Sequence, residues 1–119
     1  IEDALLNIGI ENLTILPAGK IPHNPAELLG SAKMKNLINL LKEKYDYVIF
    51  DTPPVIPVTD AGLLGAQVDG VIVVIQANRT QKGAVKHGEG LLKQARARIL
   101  GYILTNIQYH IPAYIYRYL

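Results

Sequence analysis

Tyr45-Asp46-Tyr47-Val48-Ile49-Phe50-Asp51-Thr52-Pro53-Pro54 is the stretch on which the fold turns. Four residues, 47 to 50, run apolar or aromatic with no polar alternation, and Asp51 closes them. Runs of this kind suit strands buried on both faces of a parallel sheet. Neither Pro53 nor Pro54 can donate to a ladder, so the strand stops abruptly. Working outward, Leu13-Thr14-Ile15-Leu16 predicts a short buried strand, ended by Pro17 and Gly19. Pro25 fits the first turn of a helix with Asn24 as N-cap and Glu27 in the capping-box position. Gly30 and Ser31 divide that helix from a longer one, in which Met34, Leu37, Ile38 and Leu41 recur at helical spacing up to Lys44. On the other side, Asp60 to Gln67 predicts a short helix capped by Thr59 or Asp60, and Val71 to Ile75 a β-branched strand. Gln81 to Arg98 predicts a helix weakened by three glycines, and Ile99 to Ile107 a fourth strand. The alternation of strands and helices gives an α/β class, a parallel sheet with helices on both faces.

Composition narrows the function. A chain of 119 residues is one domain in size, and 50% hydrophobic against 18% charged residues excludes the disordered class. The net charge of +2 is too balanced for nucleic acid as a partner. There is no cysteine, which excludes disulfide scaffolds and thiolate metal sites and fits a reducing compartment. His23, His87 and His110 show no metal-ligand spacing. No segment approaches the ~18 apolar residues of a membrane span. Ile1-Glu2-Asp3 does not resemble the basic start of a secretory leader.

In open parallel sheets ligands gather at the carboxyl ends of strands. Three polar groups fall there: Asp51 with Thr52 and Pro53, Asn78-Arg79-Thr80, and Thr105-Asn106. A carboxylate at Asp51 suits Mg²⁺, directly or through water, or else caps the following turn. Arg79 is placed either to meet a ligand or a subunit, or to remain a solvated loop charge. The amide of Asn106 could read a base as donor and acceptor together, or satisfy its own loop. Four of the seven tyrosines, at 109, 114, 116 and 118, lie in the last 11 residues. Their alternation with Ile115 and Arg117 fits a half-buried edge strand as well as an exposed tail.

The 45–54 string resembles the Walker B strand of the deviant P-loop ATPases, the MinD/ParA-like group. Leu16 to Leu29, LPAGKIPHNPAELL, is similar to a segment of the bacterial tyrosine kinases of capsule and exopolysaccharide biosynthesis. Ser31 with Met34, Asp60-Ala61, Asp69-Gly70 and Leu100-Gly101 match that family in order. The resemblance implies a partial P-loop NTPase, Rossmann-like fold and an ATP- and Mg²⁺-dependent kinase that phosphorylates its own tyrosines. It implies that Asp51 is the catalytic and metal-organising acid, that Thr52, Pro53, Arg79 and Asn106 meet the nucleotide, and that Tyr109, Tyr114, Tyr116 and Tyr118 accept phosphate. It further implies self-association with neighbouring kinase subunits and a membrane chain-length regulator, fused or separate, which brings the protein to the cytoplasmic face of the membrane.

A phosphate-cradling Gly-x-x-x-x-Gly-Lys-[Ser/Thr] loop does not occur in this sequence, since Gly19-Lys20 is followed by Ile21 and preceded by Thr14 at the first glycine position. An Asp-x-Asp strand end is missing as well. Both precede this segment in the family. The reading is therefore the C-terminal half of a kinase domain, residues 1–108, with a tyrosine-rich tail at 109–119, and Ile1 to Leu6 a helix inside the domain. The strand of the phosphate loop lies beside the Asp51 strand in such sheets, so without it an open edge and exposed apolar surface are expected. The alternatives are a MinD/ParA-like ATPase and a non-catalytic interaction module that has lost nucleotide binding. The purified 119-residue chain is expected to show no autophosphorylation. Mg²⁺-dependent phosphotyrosine on that chain alone, read by immunoblot, would overturn the expectation.

Overall fold

The computed structural model describes residues 1–56 and 59–108. A 3-10 turn, Glu2–Ala4, opens the chain, followed by β1 (Leu6–Asn7) and β2 (Thr14–Ile15). These two pair antiparallel, with Leu6 opposite Ile15 and Asn7 opposite Thr14. The helix expected over the first six residues is thus a single turn leading into a strand. Asn12, with φ 59°, and Gly9, with φ 81°, turn the hairpin, and the Gly9 N–H donates to Asn7 Oδ1 at 2.9 Å.

α1 (Pro25–Gly30) begins on proline, and Ser31 separates it from α2 (Ala32–Lys44). Ser31 Oγ accepts from the Met34 N–H at 3.2 Å and donates to the Leu28 carbonyl at 2.7 Å, so one hydroxyl caps α2 and closes α1. Asn24 makes no capping bond to the backbone; its Nδ2 donates to Glu27 Oε2 at 3.1 Å instead. After α3 (Asp60–Gly65), β3 (Val71–Gln76), α4 (Lys82–Gln94) and β4 (Ile99–Thr105) form one continuous unit.

β3 and β4 are parallel, with Ile72 beside Gly101 and Gln76 beside Thr105, and the crossover is α4. Leu92 of α4 is fully buried, and Ile38, Leu41, Ala61, Leu64 and Ala97 complete the core. Close approach is set by glycine. A Cβ on Gly65 would stand 2.8 Å from the Ala97 Cβ and 3.1 Å from Val71 Cγ2, and one on Gly70 would run into the Leu100 side chain. Gln67 ties α3 to α1, its Nε2 donating to the carbonyls of Leu29 and Leu63 at 2.8 and 2.9 Å. Tyr102 of β4 donates its hydroxyl to Glu89 Oε1 of α4 at 2.7 Å. That hydrogen bond, with minor help from desolvation and the carboxylate's charge, raises the phenol's pKa above its ordinary value.

The Asp51 strand differs from expectation. Residues 47–54 form no regular element after a bend at Asp46, and no backbone–backbone hydrogen bond among the described residues involves them. Tyr47 is 89% exposed and Ile49 91%. Among the described residues no strand stands beside this run: β3 is paired with β4 alone, and β1–β2 is a separate sheet. The fold is α/β with a parallel pair, but it is open, with a radius of gyration of 17.6 Å. A closed domain of ~119 residues would have about 13.5 Å.

Two outcomes follow from this packing. Leu92→Ala should lose roughly 2–5 kcal/mol in urea unfolding, and Gly65→Ala roughly 1–3 kcal/mol, because the first opens a cavity and the second overpacks the α3–β3 contact. Unchanged midpoints in both variants would show that this core is not what holds the chain. For Tyr102, the folded pKa lies above the unfolded one, near 10. The stability this bond contributes is present below pH ~10 and lost as pH rises through the folded value. Alkaline titration at 295 nm, with Tyr102→Phe as subtraction, should show Glu89→Gln moving Tyr102 down; no movement would mean the bond is absent in solution.

Candidate functional site

Pairing of β3 with β4 brings two of the sequence's polar clusters together. The two strands end level, Gln76 beside Thr105, and the Ala77 N–H extends the ladder to the Thr105 carbonyl at 2.9 Å. Beyond that point both chains turn through asparagines with positive φ, Asn78 at 60° and Asn106 at 54°. Left-handed backbone is tolerated by asparagine better than by most residues. Thr80 folds back so that its Oγ1 accepts from the Gln76 N–H at 3.2 Å, and Arg79 Nη1 reaches Gln76 Oε1 at 3.4 Å. Arg79 and Asn106, both exposed, therefore share one end of the sheet. The Arg79–Gln76 contact is long and solvent-exposed, so it leaves the guanidinium free to engage an anion.

Asp51 lies at the carboxyl end of the unpaired extended segment. It is exposed, Thr52 is half-buried and Pro53 exposed, and among the described residues Asp51 has no ion pair or hydrogen-bond partner. The loop after it rests on α4: a Cβ on the buried Gly88 would meet the Val55 side chain at 3.8 Å. Asp51 is thereby tethered to the β3–α4–β4 unit through its loop rather than through a sheet ladder. The five site candidates Asp51, Thr52, Pro53, Arg79 and Asn106 are thus held as two groups, one at the ladder's end and one on the loop. The four tail tyrosines, Tyr109, Tyr114, Tyr116 and Tyr118, fall outside the described residues.

A shallow cavity of about 360 Å³ opens beside the ladder's end, lined by Ile75, Thr80, Lys82, Val85 and Lys86. The two lysines stand on the first turns of α4, where they lie i, i+4 on one face. Neither was singled out from sequence; the signal available was two basic residues in the opening turns of a helix that follows a strand end. Among the described residues no three carboxylates or imidazoles cluster as a metal site. Mg²⁺ does not require one, because it keeps several waters and commonly takes one or two protein carboxylates. An exposed, unpaired Asp51 fits such a role. The triphosphate does not fit the chain alone, since no glycine-rich loop is present to cradle it. No helix among the described residues is long and apolar enough to cross a membrane.

With this geometry in place, comparison with known proteins is specific. The family profile described as AAA domain, a P-loop family, matches residues 1–98. A Staphylococcus aureus protein named putative tyrosine-protein kinase CapB is 38% identical over 105 residues, covering 88% of this chain and 46% of its own length. The kinase domain of VpsO superposes with a TM-score of 0.83 at 39% identity, over 91% of this chain and 53% of that one. The chimerical protein CapA2B2 superposes with a TM-score of 0.86 at 37% identity, over 91% of this chain and 48% of that one. The chain spans about half the length of the Staphylococcus, Streptococcus and Bacillus relatives it matches, and 15% of a longer Acinetobacter johnsonii one. It belongs to the AAA-domain family, and the members it is similar to over nine-tenths of its length are bacterial tyrosine kinases.

Proposed function

We infer that this chain is part of an ATP-dependent protein-tyrosine autokinase that regulates capsule or exopolysaccharide synthesis. The observation that carries the reading is the joint match in sequence and fold to tyrosine kinases, at 26–39% identity and TM-scores of 0.79–0.86, across almost all of the chain. The site supports it. An unpaired carboxylate at the end of the 47–50 run, and an arginine and an asparagine amide at the end of the β3–β4 ladder, are groups that a phosphoryl-transfer site can use.

In the proposed roles, the Asp51 carboxylate holds Mg²⁺ directly or through water, with Thr52 and Pro53 fixing its direction. When bound, the metal ion neutralises phosphate charge. Arg79 offers a fork of donors to phosphate oxygens, and the Asn106 amide pairs with the edge of the base. The phosphate-cradling loop would come from the remainder of the domain. Tyr109, Tyr114, Tyr116 and Tyr118 are the proposed acceptors, presented to neighbouring subunits, and a membrane chain-length regulator is the proposed partner at the cytoplasmic face. The structural neighbour CapA2B2 is itself a chimerical protein, in keeping with a two-component arrangement.

The test is a graft in which this chain replaces the matched region of the Staphylococcus aureus relative. The graft should make phosphotyrosine in the presence of ATP and Mg²⁺. Asp51→Asn should lower kcat by roughly 10²–10³-fold, the scale seen when one preorganised electrostatic group is removed. Arg79→Ala and Asn106→Ala should chiefly raise KM for ATP, by roughly tenfold, as expected for the loss of one or two hydrogen bonds. ATP hydrolysis without phosphotyrosine would favour a MinD/ParA-like ATPase, and failure to bind ATP at all would favour a non-catalytic module.

A further inference from the structure

The loop that carries Arg79 closes on one residue, Gln76. Ala77 ties the loop's start to β4, donating its N–H to the Thr105 carbonyl at 2.9 Å. Asn78, at φ 60°, turns the backbone, and the N–H groups of Arg79 and Thr80 both return to the Gln76 carbonyl, at 3.4 and 3.0 Å. The Thr80 side chain completes the closure, its Oγ1 accepting from the Gln76 N–H at 3.2 Å. Gln76 is thus held at its carbonyl and at its amide by Thr80, while its own side chain accepts from Arg79 Nη1 at 3.4 Å.

This closure does not serve the helix that follows. α4 begins at Lys82, and Gln81, its N-cap, makes no side-chain capping bond. The Thr80 hydroxyl is engaged with Gln76 rather than with the orphan N–H groups of the first helical turn. Apart from the Arg79–Gln76 contact, it is the one side-chain group among the described residues that fastens loop 77–81 to β3. The bond is solvent-exposed, so water competes for both partners and its contribution to global stability is small. Its effect is local. Branching at Cβ restricts the rotamers of threonine, so a bonded hydroxyl leaves the backbone around it little freedom. Arg79 therefore stands between a left-handed asparagine and a closed threonine, with its main chain fixed on both sides. A long side chain that starts from a fixed backbone loses less freedom when it binds.

We propose that Thr80 is a positioning residue for Arg79. Its hydroxyl, through the Gln76 N–H, holds the 76–80 turn in the form that keeps the guanidinium at the carboxyl end of the ladder, where Asn106 also lies. The proposal rests on the anion-binding role given to Arg79 above. Thr80 acts through the guanidinium alone, so its influence on nucleotide must vanish when the guanidinium is removed.

Thr80→Val keeps the shape of the side chain and deletes the hydroxyl. In the graft with the Staphylococcus aureus relative it should raise KM for ATP roughly three- to fivefold, the scale of one exposed hydrogen bond, with kcat and the unfolding midpoint unchanged. Thr80→Ser, which keeps the hydroxyl, should restore KM. Added to Arg79→Ala, Thr80→Val should change nothing further, because the two act as one unit. An unchanged KM, the same rise with and without Arg79, a fall in kcat instead, or no recovery in Thr80→Ser would each overturn the proposal. Titration of the same grafts with ATP needs no turnover and should show Kd moving by the same factor. A graft that binds ATP without making phosphotyrosine would therefore sink the kinase reading and still decide this one. The hydrogen bond itself is tested in the 119-residue chain by amide exchange. The Gln76 N–H should be protected, lose protection in Thr80→Val and regain it in Thr80→Ser. Val73 and Ile75, in register with Tyr102 and Leu104 of β4, should stay protected throughout and report an intact fold. An unprotected Gln76 in the unsubstituted chain would overturn the proposal whatever the grafts do.

Discussion

Peptide N–H and C=O groups that leave water must find partners, and the run from 47 to 50 has no backbone partner among the described residues. Every other feature of the molecule arranges itself around that constraint. The apolar side chains of Val48 and Phe50 are half-covered, whereas Tyr47 and Ile49 stand in solvent. Among the described residues six form the buried hydrophobic core, and they come from the helices and from the α4–β4 connection rather than from a filled sheet. The elements that do hold together are those whose pairing is complete locally: the helices, and the β3–α4–β4 crossover.

That division explains the condition of the site. Arg79 and Asn106 are placed by a ladder that exists, and their positions follow from the Gln76–Thr105 register and the two left-handed asparagines. Asp51 is placed by a loop leaning on Gly88, at the end of a strand that has no sheet. Phosphoryl transfer depends on holding charged groups within a fraction of an ångström, which a loop alone does poorly. The chemistry proposed for Asp51 therefore depends on the same neighbours that would pair its backbone.

Features decided over a few residues could be read from the sequence. The break at Ser31 between α1 and α2, proline at the start of α1 and the β-branched run of β3 each rest on local preference, and each stands where expected, whereas the capping bond itself is made by Ser31 and not by the expected Asn24. α4 stops at Gln94, four residues short of the expected Arg98. The Ala97 N–H bonds the Leu92 carbonyl and the Arg96 N–H the Lys93 carbonyl, with Arg96 at φ 61°. This is a Schellman cap with arginine at the position usually held by glycine, so its usual signature was missing. The β1–β2 hairpin was equally hidden, because two-residue strands have no periodicity to detect. The 47–50 run reads as a strand from its composition, but pairing is a property of two segments, and no second segment pairs with it among the described residues. Of the site, the strand-end residues were legible because parallel sheets collect ligands there, while Lys82 and Lys86 became visible only once α4 turned them toward Ile75 and Thr80.

The central claim is that the Asp51 strand is a core strand awaiting neighbours from the rest of a kinase domain. Amide hydrogen exchange tests it most directly, at residues 47–50, in this chain by itself and in the graft with the Staphylococcus aureus relative. The account predicts exchange near the unprotected rate in the chain alone, with Val73 and Ile75 protected beside it, and strong protection of 47–50 in the graft. Protection of 47–50 in the chain alone, or its absence in the graft, would contradict the account.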